Sequence, residues 1–331
     1  MRGRPIGLGL LALGAFLLAG ALASVLFLGP ALVKLPLAQT AEPVAVDPHA
    51  TYFNIGEQKQ HEGEPVTVRQ EVLGLPTADG AGNDVAVWKF GSTVEDSGDL
   101  AITPNTTYQV CVDRKTAAAV DCPSAKIGDD HGKKITGLTL TFPFDTQKRA
   151  YDVFDATADE AFPARFTGTD TVHGVAVYAF EQTIPQTVVQ TTDVTGLMVG
   201  NPGGPGVTAD VVYDNERTIW VEPKSGVIVD IKEHPNLVFR GPDGTTGVTL
   251  LNGTFSGTPQ TVAVGADRAA KSRSQITMVR TTLPLLLVGL GVVALIAGAL
   301  LARRSAAGVH AAGSGARESA DEGADRSVGV Q

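Results

Sequence analysis

The sequence holds only two cysteines, Cys111 and Cys122, in 331 residues. That scarcity excludes a disulfide-dense secreted scaffold, and with no CxxC anywhere it excludes the usual zinc sites. Histidine is sparse too, with six in the chain, five of them between the apolar runs. His49, His61, His131, His173 and His234 are scattered without HxxxH spacing, so no helix face offers two imidazoles to one metal. Asp129 and Asp130 beside His131 fall in a polar stretch typical of a loop. Also missing are a P-loop, a strand-linked GxGxxG, an EF-hand loop and a GxSxG elbow. No catalytic, cofactor-binding or metal-binding residue is therefore assigned, and the sequence does not read as an enzyme.

One motif comes close to chemistry. GNPGGPG at residues 200–206 resembles the glycine-rich loop that supplies oxyanion-hole amides in some α/β-hydrolase peptidases. Such a loop needs a nucleophile followed by Asp and His, and only His234 lies between it and the C-terminal apolar run, so the motif reads as a mobile turn. Basic charge is also in deficit. Residues 31–280 carry 31 Asp and Glu against 20 Lys and Arg, a net of −11, which disfavours nucleic acid as a partner. Because the acids are spread along the chain, a solvated surface is a better reading than a cation site.

What is present in abundance is apolar length. Ile6–Leu28 and Leu283–Ala302 are uncharged, and each covers the roughly 30 Å hydrocarbon core as a helix at 1.5 Å per residue. Arg2 and Arg4 precede the first run and Arg303 and Arg304 follow the second, so the positive-inside rule places both termini in the cytoplasm. Arg268, Lys271, Arg273 and Arg280 pull the other way, although segments longer than ~60 residues translocate largely regardless of charge. Ala21, Leu22 and Ala23 form a signal-peptidase pattern. The apolar run nevertheless continues through Val25 to Leu28, past the usual 7–15 residues of a signal peptide, which favours a retained span over cleavage after Ala23. Ala15, Ala19 and Ala23 on the first span, and Ala294, Gly298 and Ala302 on the second, would let two helices approach closely, though small residues are common in membrane helices generally.

Between the spans the chain reads as β-rich, mostly antiparallel, in an all-β or α+β domain outside the cytoplasm. VAVWKF (Val85–Phe90), VAVYAF (Val175–Phe180), TIWVE (Thr218–Glu222) and VIVDI (Val227–Ile231) are β-branched or aromatic and bounded by turn residues. Pro223, Lys224, Ser225 and Gly226 make residues 218–231 a hairpin, with Trp220 and Tyr213 facing a buried side. The likeness of VAVWKF to VAVYAF leaves open an internal duplication of the domain or chance similarity. In an oxidising compartment Cys111 and Cys122 pair, closing a 12-residue loop for about 3 kcal/mol. Asn105 with Thr107 and Asn252 with Thr254 match the glycosylation sequon and read as surface turns.

The organisation expected is then a cytoplasmic N-terminus (1–5), a transmembrane helix (6–28), the β-rich extracytoplasmic domain (29–264), a juxtamembrane helix (265–282), a second transmembrane helix (283–302) and a disordered cytoplasmic tail (303–331). LTFPFDTQKRAYDVFDAT at 140–157 and YDNERTIWVEPKSGVIVD at 213–230, set between two terminal spans, resemble the actinobacterial membrane proteins of the porin PorA family. The resemblance covers residues 1–302, and its motifs are structural rather than catalytic. It implies a cell-membrane protein of the envelope, touching the bilayer through two helices. A non-catalytic domain would bind an envelope lipid or protein, or act as a scaffold; the family's label implies a channel instead.

Overall fold

From Val44 to Gly257, β-branched and aromatic residues alternate with polar ones, the pattern of strands with one buried face. The computed structural model describes residues 3–98, 101–103 and 105–321, and they divide into two units: residues 34–274, and the two terminal segments together.

The terminal unit begins with α1 (Gly3–Ala23), a π-helical turn at Ser24–Leu28 and the short α2 (Gly29–Leu32). The other unit holds fourteen strands. They are β1 (Thr40–Ala41), β2 (Val44–Asn54), β3 (Lys59–Gly74), β4 (Val85–Glu95), β5 (Thr106–Asp113), β6 (Ala119–Val120), β7 (Lys126–Ile127), β8 (Tyr151–Asp155), β9 (Glu160–Val172), β10 (Val175–Val194), β11 (Val207–Val221), β12 (Ile228–Arg240), β13 (Thr246–Asn252) and β14 (Phe255–Gly257). After them come α3 (Pro259–Thr277), a second π-helical turn at Met278–Thr282 and α4 (Leu283–Asp321).

Neighbours in the sheet are almost all neighbours in sequence, and every named pair is antiparallel. The order is β6, β5, β4, β3, β2, β13, β12, β11, β10, β9, β8, with β1 on β3, β7 on β5, and β14 on both β12 and β2. Turn chemistry explains the hairpins. His173 and Gly174 link β9 to β10 with φ of 46° and 76°, the two left-handed residues of a tight hairpin turn. The expected hairpin at 218–231 forms, with Ile219 opposite Ile231 and Trp220 opposite Asp230. Gly226 closes it at φ 74°, donating its N–H to Glu222 O at 2.9 Å.

Residues 137 and 138 join the two outer strands. Ala119 donates to Gly137 O, Leu138 to Asp152 O and Phe154 to Leu138 O, each at 2.8 Å. The β6 edge is thereby tied to the β8 edge, and the sheet closes on itself at this seam. Inside, both edges contribute to one aromatic core: Trp88 and Tyr108 from one side, Phe154 and Phe180 from the other, with Phe142 between strands. Phe142 and Phe180 are fully buried, worth about 1.5–3 kcal/mol each. VAVWKF and VAVYAF lie on β4 and β10, and Phe90 and Phe180 meet in this core. Tyr213 and Trp220 are both shielded, but on opposite faces. Seven residues apart on one strand, Tyr213 points inward while Trp220 packs outward with Val175, Val177 and Val229 against Ala266 and Ala269 of α3. Gly265 permits that approach, since a Cβ there would lie 2.5 Å from Val229 O. The juxtamembrane helix thus starts at Pro259 rather than residue 265.

In the terminal unit α1 packs against α4, and the two π turns pack against each other. Glycine sets the contact. A Cβ on Gly14 would lie 2.6 Å from Leu295 Cγ and 2.8 Å from Gly291 O; one on Gly298 would lie 2.8 Å from Gly7 O. Gly7, Gly14 and Ala21, and Gly291 with Gly298, recur at seven-residue intervals and are buried. The first stripe expected from sequence does not do this work, because Ala15, Ala19 and Ala23 are exposed; Ala294 and Gly298 of the second stripe are buried. A four-residue stripe drifts around a helix of 3.6 residues per turn, whereas a seven-residue repeat stays near one seam. Past the span α4 continues to Asp321, where composition leads one to expect disorder; 322–331 lie outside the described residues. An Ala-rich segment extends a helix already nucleated without a second nucleation cost.

Candidate functional site

Polar groups inside the ring of strands are the first place to look for chemistry. β11 carries Tyr213, Asn215 and Arg217 on the inward face, where Ile219 and Val221 continue as core. Arg217 is the hub. Its Nη2 donates to Asp155 Oδ2 at the end of β8, its Nε to Glu233 Oε2 of β12 at 3.0 Å, and its Nη1 to Gln182 Oε1 of β10 at 3.4 Å. Tyr213 donates its hydroxyl to Asp155 Oδ2 at 3.0 Å, and Asn215 Nδ2 donates to Tyr213 Oη at 2.9 Å and Glu233 Oε2 at 3.2 Å. Gln182 spends its amide on Val153 O and Phe162 O at 2.7 and 2.9 Å.

Burial opposes the charge on Arg217, but Asp155, Tyr213 and Glu233 outweigh it and hold the guanidinium protonated even more firmly than usual. Tyr213 is pushed above the ordinary tyrosine range by burial, aided by Asp155 and Glu233 against Arg217. Tyr108, fully enclosed nearby, shifts upward for the same first reason. Two carboxyl groups thus share one guanidinium, Asp155 fully buried and Glu233 partly so. Every member is hydrogen-bonded to its neighbours, so the cluster ties β8, β10, β11 and β12 together and presents neither a nucleophile beside a base nor a vacant ligand position. Sequence reading missed it, because its directly bonded members lie up to 62 residues apart. The one available signal was Asn215 and Arg217 on the alternation shared by Tyr213 and Ile219.

The sequence-derived features are dispersed. Cys111 and Cys122 form the expected disulfide, with Cα atoms 6.2 Å apart, bridging β5 to the segment after β6. Beside it is a cavity of about 170 Å³ lined by Val110, Val120, Cys122, His131, Lys133 and Ile135. Lys133 is paired with Asp159, and Lys134 with Asp121 at 3.0 Å. No group of three His, Cys, Asp or Glu side chains is placed to hold a metal among the described residues. His61 stacks on Tyr52 and pairs with Glu57, His131 Nδ1 meets Ala125 O at 3.2 Å, and His234 Nδ1 meets Thr254 Oγ1 at 2.9 Å. The structure brings none of these histidines together with another.

GNPGGPG forms an exposed turn, and the segment leading into it is packed. The preceding Leu197, Met198 and Val199 pack with Phe53, Val211 and Phe239, and Asn201 donates its N–H to Gly196 O at 2.8 Å. Gly247 of β13 lies directly under Met198, since a Cβ there would fall 1.9 Å from Met198 O. Of the two sequons, Asn252 ends a strand and donates to Asn236 Oδ1 at 3.3 Å instead of marking a turn, while Asn105 is exposed.

Two helices, Pro5–Leu32 and Pro259–Arg303, are long and apolar enough to cross a membrane, one at each end of the antiparallel β domain. The Porin PorA family matches residues 6–300. The chain belongs to that family. A relative named Porin PorA from Corynebacterium amycolatum is 26% identical over 249 residues, covering 60% of this chain and 64% of the relative. Another Porin PorA, from Corynebacterium resistens, is 25% identical over 187 residues, covering 39% of this chain and 45% of the relative. The chain therefore spans less than two thirds of the length of these curated relatives. Family membership and the paired apolar helices make this a membrane protein that contacts the bilayer through helices.

Proposed function

We propose that this Porin PorA family member is a non-catalytic interaction scaffold of the cell envelope. Its two helices anchor it in the cytoplasmic membrane with both ends inside and the β domain outside. The observation that carries the reading is the distribution of apolar surface. Large exposed hydrophobic residues crowd onto the helices from Ile6 to Leu32 and from Met278 to Leu300, while the described strands expose only Val46, Leu73 and Val188. A β-barrel that crossed a membrane would need an outward apolar band about 25 Å tall. Fully buried Trp88, Phe142, Phe180 and Phe255 fill the interior instead, and the cavity beside the disulfide is smaller than the 300–1,000 Å³ typical of ligand pockets. That filling favours a scaffold over a lipid container.

Cross-linking of the full chain in cells tests the proposal. A reproducible protein partner, with no lipid retained by the β domain in native mass spectrometry, is the expected result. A stoichiometric lipid in the β domain would replace the scaffold with a container. The relatives' name, porin, supports a second reading, a channel, and conductance steps in planar bilayers from detergent-purified protein would establish it.

A further inference from the structure

Resting on the scaffold reading above, we propose that the open edge of β9, residues 165–170, binds an extended acidic segment of a partner protein by adding it to the sheet as a further strand. β9 runs from Glu160 to Val172, but β8 pairs with it only from Glu160 to Ala164. Past Ala164 the strand is bonded on its β10 side, and no other backbone among the described residues bonds to its far side. Successive N–H and C=O groups of a strand point to opposite sides, so about half of those in this stretch lack a partner strand. Thr171 spends its N–H on Asp170 Oδ1 at 2.6 Å, which ends the usable edge at Asp170. Arg165, Thr167, Thr169 and Asp170 are exposed, and a Cβ on Gly168 would meet nothing within 4 Å. Only another extended backbone can satisfy such a row of donors and acceptors in full.

The surroundings of this edge select the occupant. The chain bends at Lys148 and Arg149 before entering β8, so β8 does not continue alongside 165–170. The same bend places two cations there. Lys148 Nζ lies 5.4 Å from the Phe166 ring centroid and 5.3 Å from that of Tyr178, and the Arg149 guanidinium lies 4.5 Å from that of Tyr151. Phe166 is on β9 itself, Tyr178 stands opposite Thr169, and Tyr151 stands opposite Ala164. Both cations are exposed, and neither makes an ion pair among the described residues. Their contact with the rings holds long side chains in place, so an arriving carboxylate meets charges already positioned. The half-buried Phe166 and Tyr178 rings carry Lys148 on them and offer no bare face on which a sugar could stack, which favours a peptide. Thr167 is a bulge, the extra residue where Phe180 meets Phe166 and Ala179 meets Gly168. The twist it adds suits a flexible segment better than the preformed edge of another sheet.

The test uses the full chain in detergent and a labelled peptide of about ten residues in which valine alternates with glutamate, a length that covers a typical strand. Fluorescence anisotropy should show binding, the counterpart with lysine in place of glutamate should not bind, and amide exchange over 165–170 should slow when the glutamate peptide is present. An added strand turns only alternate amides toward the sheet. Methylating one alternate set of peptide amides should therefore abolish binding, and methylating the other set should leave it intact. K148Q/R149Q should weaken the glutamate peptide about threefold or more. K148R/R149K, which conserves both charges, should retain it, as should K232Q on β12. Failure of the glutamate peptide to bind, equal binding of the lysine peptide, equal loss from either methylated set, or affinity unchanged in K148Q/R149Q would overturn the added strand, while a protein partner cross-linked in cells would still uphold the scaffold. Peptide binding by a protein that conducts in planar bilayers and cross-links to no partner would uphold the edge and overturn the scaffold.

Discussion

The helical pair and the β domain solve opposite packing problems with opposite residues. In the β domain large aromatics lie inside and polar side chains outside, the arrangement water imposes. In the helical pair the contact is made by Gly7, Gly14, Gly291 and Gly298, while Phe16, Phe27 and Leu285 face outward at 73%, 70% and 65% exposure. Where the surroundings are as apolar as leucine, burying leucine gains nothing; close backbone contact is the remaining source of attraction. Stability thus comes from volume in one region and from the absence of volume in the other. Substitutions should therefore have effects that do not transfer between them.

Arg217→Met should break the contrast most severely. It leaves Asp155, which has no exposure, as an uncompensated buried charge, at a cost of about 3–5 kcal/mol. A large fall in denaturant midpoint, read by fluorescence of Trp88 and Trp220, is expected with the helical signal retained in detergent. Next comes the disulfide. Cys111→Ser with Cys122→Ser should lower β-domain stability by about 3 kcal/mol and leave the helical pair untouched.

Gly298→Val should do the reverse. Its Cβ would meet Gly7 O and Leu11 N at 2.8 and 2.9 Å, forcing the helices apart for about 1–3 kcal/mol. Cross-linking between cysteines introduced on α1 and α4 should weaken while the Trp midpoint stays constant; a shifted midpoint would show that the two regions are energetically coupled. The smallest effect concerns alkali. Tyr108 and Tyr213 have folded pKa values raised above the ordinary 10.0, so the unfolded chain ionises first. Their contribution is complete below pH 10 and is lost above it, at about 1.4 kcal/mol per pH unit for each tyrosine. Tyr108→Phe should flatten the fall of the denaturant midpoint between pH 10 and 11 by one tyrosine's share.

Legibility followed the range of the interactions involved. The spans, the 218–231 hairpin and the Cys111–Cys122 pair depend on composition or short separations, and the residues alone reveal them. Trp220 shows where that reasoning thins: its burial was legible, but its packing on the outer face against α3 was not, because alternation identifies a strand's two faces without saying which one a later helix will cover. The glycine seam lies at seven-residue spacing, which small residues at four-residue spacing on the same helices obscure. The Asp155–Arg217–Glu233 cluster was least accessible, since only the closed sheet brings β8 and β12 to the same guanidinium.

The meeting of β2 with the end of the strand region has a kinetic meaning. Val46 pairs with Ser256, and Thr258 donates its N–H to Val44 O at 2.9 Å, joining residues more than 200 positions apart. As the chain is made, strands β2 to β6 and β8 to β13 can each zip up by neighbouring hairpins, but β2 must wait with an open edge until β13 and β14 arrive. The first long strand is thus among the last to be completed. An N-terminal strand held open that long is where a chaperone or a premature neighbour would find the nascent domain.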